Sequence, residues 1–106
     1  MPKYLFRGSY TQQGAQGLLK EGGTSRRATI EALAKSMGGS IEAFYYAFGD
    51  NDVYVIAEVP DHATATALSL AVGAAGSVAL STTVLVTPEE VDEATKKTVG
   101  YRPPGQ

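Results

Sequence analysis

Ser40–Pro60, SIEAFYYAFGDNDVYVIAEVP, decides how the rest of the chain is read. Two runs rich in aromatic and β-branched residues flank the polar cluster Gly49-Asp50-Asn51-Asp52, the pattern of two antiparallel strands joined by a tight turn. A turn closed symmetrically on those residues sets Phe48 opposite Val53, Tyr46 opposite Val55 and Phe44 opposite Ala57. The other face then pairs Ala47 with Tyr54, Tyr45 with Ile56 and Ala43 with Glu58, and it carries Ile41 as well. Only Glu42 and Glu58 break the apolar character. An antiparallel sheet with one wet face alternates apolar with polar residues, and this hairpin does not. One face suits a layer of helices. The other calls for a partner, and a second copy of the chain is the simplest one. Ile41, Tyr45, Tyr54 and Ile56 are therefore the candidate interface or core positions of the sheet.

The flanking sequence supplies the remaining elements. Pro2–Tyr10 alternates Tyr4, Phe6 and Tyr10 onto one face and reads as the first strand. Thr11–Gly23 holds Gly14, Gly17, Gly22 and Gly23, which predicts a loop with at most a helical turn at Leu18-Leu19. Ala28, Ile30, Leu33, Ala34 and Met37 recur at helical spacing over Thr24–Met37, and Gly38-Gly39 supplies a stop. Beyond the hairpin, Asp61 is placed to cap an alanine-rich helix over Ala63–Ala75. Ser77–Val86 alternates as a strand. Thr87-Pro88-Glu89-Glu90 has the form of a capping box with proline at the first helical position. Asp92 with Lys96 and Glu93 with Lys97 are spaced for i,i+4 pairing on that short helix.

The order strand, helix, strand, strand, helix, strand is the α+β ferredoxin-like βαββαβ arrangement, here with an extra short C-terminal helix. Residues 1–98 read as a single domain and 99–106, VGYRPPGQ, as an extended tail. A chain of 106 residues with 43% hydrophobic and 19% charged residues can bury one ordinary core. A net charge of −2 argues against nucleic acid as the main partner. No run of 18 apolar residues is present, nor the flanks of a secretory signal, so no membrane partner and a cytoplasmic location are expected. The absence of cysteine excludes thiolate chemistry and disulfides.

No nucleophile elbow, paired-carboxylate motif or metal-binding cluster stands out, so neither a metal nor a cofactor is expected. His62, the single histidine, is a weak candidate for a general base. Arg26 and Arg27 fall near the start of the first predicted helix, where two guanidiniums beside Gly22-Gly23 suit a carboxylate or phosphate. The competing reading pairs Arg27 with Glu31. Tyr10 and Tyr45 offer hydroxyls among apolar residues, which makes them candidate ligand contacts together with Arg26, Arg27 and His62. Asp50, Asn51 and Asp52 are explained by turn chemistry rather than by calcium.

Nearly end to end, the chain resembles the GYD-domain family of small bacterial proteins. The resemblance is carried by PKYLF at the start, YTQQGAQGLLKEGG followed by SRR, GGSIEAFYYAFGDNDVYV, the Pro60-Asp61 pair and the closing TTVLVTPEEVD. Gly49 and Asp52 correspond to the family's glycine and aspartate, whereas Asn51 stands in place of the motif's aromatic residue. The resemblance implies a dimeric α/β barrel in which two ferredoxin-like subunits pack sheet to sheet. It also implies a small-molecule pocket between the sheet and the helices of one subunit. The function that follows is a homodimer binding a small, anionic molecule there, with cofactor-independent catalysis open. The alternative is a non-catalytic regulatory or scaffold dimer without a pocket.

Overall fold

Tyr4, Phe6 and Gly8 are buried along β1 (Lys3–Tyr10) while Lys3, Leu5 and Arg7 between them stay half-buried, so the strand has one face in the core. The computed structural model describes all residues, Met1–Gln106. After β1 come α1 (Gln12–Glu21), α2 (Gly23–Ser36), β2 (Ser40–Tyr46), β3 (Val53–Glu58), α3 (His62–Ala75), β4 (Val78–Leu85) and α4 (Pro88–Thr95). The four strands form one antiparallel sheet in the order β2-β3-β1-β4. That is the ferredoxin-like topology, with both central strands flanked.

The core lies between the sheet and the helices. Tyr4, Phe6, Val53, Val55, Ala57, Val59 and Ala65 form its buried cluster, with Ile41, Phe44, Leu68 and Leu80 packed around them. α2 packs over β2 and α3 over β4. The alanine-rich α3 lies close to its strand, and the two helices sit over the two edges of the sheet.

The hairpin departs from symmetric closure. Tyr46 pairs with Val53, Tyr45 with Tyr54 and Phe44 with Val55, two residues away from the expected register. The connection is a loop over residues 47–52, closed by the Ala47 N–H donating to the Asp52 carbonyl at 2.9 Å. A shift of two preserves the facing of every side chain, but it expels Phe48 into solvent. A bulge between Ile41 and Ala43 adds a second change. It turns Ile41 onto the helix side, opposite Ala57, so Ile41 belongs to the core layer rather than to the outer face with Tyr45, Tyr54 and Ile56. Glu42 at the bulge and Glu58 both pair with Lys3, at 3.1 and 3.6 Å.

Two further expectations are corrected. Residues 12–21 form a full helix, not a loop. Thr11 caps it by accepting the Gly14 N–H at 3.2 Å, while the Thr11 hydroxyl donates to the Gly76 carbonyl at 2.8 Å and ties α1 to the start of β4. Gly14 is required by closeness rather than by flexibility: a Cβ there would lie 2.0 Å from the Ser77 carbonyl oxygen. The expected Asp92–Lys96 and Glu93–Lys97 pairs do not close, because α4 ends at Thr95 and both lysines lie beyond it. The capping signals hold. Asp61 accepts the Thr64 N–H at 2.8 Å, and Thr87 with Glu90 forms both bonds of the capping box at 3.1 Å.

Candidate functional site

Because α2 and α3 sit over opposite edges of the sheet, the space between them above β1 and β3 is not filled. It forms a cavity of about 90 Å³ lined by 15 residues, 14 of them hydrophobic. Phe6 and Val55 make the floor, Ile30 and Leu33 of α2 one wall, and Leu68 and Val72 of α3 the other. The exception among the lining residues is Arg26, the only charge on the cavity.

Arg26 stands at the fourth position of α2, its N–H donating to the Gly22 carbonyl at 3.2 Å. Gly22, with φ of +89°, lets α1 run directly into α2. This sharp junction brings Arg26 over Tyr10, the last residue of β1. The two residues also border a second, more polar hollow of about 280 Å³ with Gln13, Glu21 and Ser77. Tyr10 and Arg26 thus form the shared wall between an apolar chamber and a polar vestibule.

Burial pushes the Tyr10 phenol up to about 12, with the neighbouring Tyr46 and the Asp52 carboxylate acting in the same direction and Arg26 opposing them. At neutral pH Tyr10 is therefore a hydroxyl donor, not a base. Its backbone is held by Asp52, whose carboxylate accepts the Tyr10 N–H at 2.8 Å and whose own N–H donates to the Gly8 carbonyl at 2.8 Å. Ser9 adds a bond from its hydroxyl to the Asp50 carbonyl at 3.2 Å. The polar loop after β2 thus clamps the end of β1 that presents Tyr10. Tyr46 closes the same corner, donating to the Gly23 carbonyl at 3.1 Å.

Of the residues singled out in the sequence, the fold brings Arg26 and Tyr10 together and separates the others from them. Arg27 points away and pairs with Glu31 at 3.7 Å on the exposed side of α2. Tyr45 lies on the opposite face of the sheet, paired with Tyr54 and largely exposed. His62 is at the far end of β1, where its Nδ1 meets the buried Tyr4 hydroxyl at 2.5 Å. Tyr4 and Tyr10 are six residues apart on one strand, about 20 Å at ~3.3 Å per residue. Burial, with Asp61 as a smaller cause, raises the Tyr4 phenol. Thr64's hydroxyl and N–H bonds hold the Asp61 carboxyl below its ordinary value.

The contributions of Tyr46 and Asp52 were not visible in sequence. Tyr46 is separated from Gly23 by 23 positions, and Asp52 reads as an ordinary turn residue until β1 is laid beside the loop. The apolar walls were legible only as core, because the helical spacing of Ile30 and Leu33 is the same whether or not the space beneath them is filled. No three His, Cys, Asp or Glu side chains gather in a metal-holding group. No helix is long and apolar enough to cross a membrane.

The topology and the helix-roofed chamber define a small ferredoxin-like α+β domain. The family model described as the GYD domain matches residues 4–95, so the chain belongs to the GYD-domain family. No curated protein and no solved structure matches it significantly.

Proposed function

We propose that the protein is a homodimeric binding protein for a small organic anion, with the apolar part of the ligand in the chamber between α2 and α3 and the anionic group at Arg26. The observation that carries this reading is the lining itself: 14 hydrophobic residues and one guanidinium. Such an arrangement matches ligand sites in which apolar walls supply affinity and one or two polar groups fix orientation. In this reading Tyr10, which lines the chamber beside Arg26 and is protonated at neutral pH, donates a second hydrogen bond to the same head group. The volume suits a short branched chain, being smaller than the roughly 150 Å³ apolar cavities that take up benzene.

Binding rather than catalysis is the better supported role. The chamber walls are hydrocarbon, and Tyr10 keeps its proton at neutral pH, so no phenolate is present there to act as a base. Each CH₂ transferred into the chamber contributes about 0.8 kcal/mol, and a charge-assisted hydrogen bond to Arg26 about 1.5–3 kcal/mol. Against the cost of association, these gains favour a ligand that supplies both parts.

A panel of short branched and small-ring carboxylates, each beside its uncharged amide, tests the proposal by thermal unfolding. An acid present at ten times its Kd stabilises by about 1.4 kcal/mol, which raises Tm by about 5–10 °C for a domain of this size. Arg26→Ala is expected to reduce that shift strongly while leaving the unliganded Tm close to its original value. Equal shifts with acids and amides, or an undiminished response in Arg26→Ala, would remove Arg26 from the site. No shift across the panel favours the scaffold reading instead.

A further inference from the structure

Every residue from Pro88 to Gln106 is exposed. No other element packs extensively against α4. Yet α4 is a deliberately built helix, with a complete capping box and proline in its first turn. A helix of eight residues is marginal by itself in water, so these devices make sense only for a segment that docks on something. Val91 on α4 and Val99 and Tyr101 in the tail beyond it offer apolar surface, 48%, 77% and 65% exposed.

The dimensions say how much surface is waiting. The radius of gyration is 17.0 Å and the longest extent 57 Å, against a radius of about 13 Å for a compact chain of this length. The accessible surface is 7302 Å², where a compact 11.1 kDa monomer exposes about 5,700 Å². The excess of about 1,600 Å² falls within the ~1,000–2,500 Å² that each member of an obligate pair buries. A second copy of the chain is therefore the occupant that fits.

That copy also presents a matching receiving face. Leu5, Tyr54 and Ile56 share the side of the sheet away from the helices, with Arg7 among them. The Arg7 guanidinium touches Ser81 Oγ at 3.3 Å, but its Nε is buried without a partner. α4 carries Glu89, Asp92 and Glu93, none of which is in an ion pair within the chain. We infer that Val86–Gln106 is an exchange arm. In a pair of copies, each arm lies across the other's outer sheet face over β1 and β3, its apolar residues on that surface and its carboxylates toward Arg7. The twofold relation makes the exchange reciprocal and closed.

The arm rests on the homodimer proposed above, and the two can fail separately. A photo-crosslinking amino acid is placed at Val91 in one full-length preparation and at Tyr45, on the outer sheet face, in another. Each is co-refolded with an isotopically heavy unmodified chain and irradiated, and linked peptides are assigned by mass. Both sites are exposed, so neither replacement removes a core contact. Heavy–light links from Val91 to residues of β1 or β3 are the expected result. Heavy–light links from Tyr45 with only intrachain links from Val91 would overturn the arm and leave the dimer standing. No heavy–light links from either position would overturn both.

Discussion

Burial, Tyr46 and Asp52 all disfavour the Tyr10 phenolate and push its loss of a proton up to about 12. The unfolded chain releases that proton near pH 10, whereas the folded one retains it to about 12. Between those values the native state binds more protons than the unfolded state, so stability falls as pH rises. Lys3, raised chiefly by its bond to Glu42, and the buried Tyr4 lose stability in the same direction. Urea unfolding at pH 9 and pH 11 is expected to show this alkaline loss, with a smaller loss in Tyr10→Phe. An identical loss in the variant would mean that Tyr10 is not buried as described. At this scale the sequence was informative where chemistry is local. Arg26 beside a glycine pair was recognisable, and so was the Asp61 cap. The partnership of Arg26 with Tyr10 was not, since it depends on the angle at Gly22 between two helices, the first of which read as a loop.

Among the elements, α1 shows best how tertiary contact overrides propensity. A glycine within a helix costs up to about 1 kcal/mol relative to alanine, so the glycines of residues 11–23 were reasonable evidence for a loop. Gly14 nevertheless sits in the helix because only a residue without a side chain can approach Ser77 so closely. Gly17 has no such constraint, with open space where its Cβ would be. The two positions therefore respond oppositely to alanine. Gly14→Ala is expected to lower stability by about 1–3 kcal/mol, the usual range for overpacking, and to displace α1 from the start of β4. Gly17→Ala is expected to raise stability by about 0.5–1 kcal/mol through helix propensity. Chemical denaturation of the two variants distinguishes them, and equal effects would contradict the packing described. The strands and the other helices were legible because their periodicities are long and their caps explicit. The register of β2 against β3 was not. It depends on a six-residue loop closed by Ala47 and Asp52 and on a bulge at Glu42, both of which also touch β1, through Asp52 to Tyr10 and Glu42 to Lys3.

For the whole molecule, the apolar character of both hairpin faces resolves into two different surfaces. The helix-side face carries Phe44, Val53 and Val55 and supplies floor and walls to the chamber. The other carries Tyr45, Tyr54 and Ile56 with no layer of the chain over it. Burial of each such side chain contributes roughly 1.5–3 kcal/mol, and only 11 of the residues are buried within the single chain. An isolated copy thus leaves much of its available hydrophobic stabilisation unused, which is the physical basis of the association proposed here. Light scattering on a sizing column at micromolar concentration measures it most directly. A mass of about 22 kDa, twice that of the 11.1 kDa chain, is the expected result. A mass of 11.1 kDa that persists as concentration rises would contradict the account.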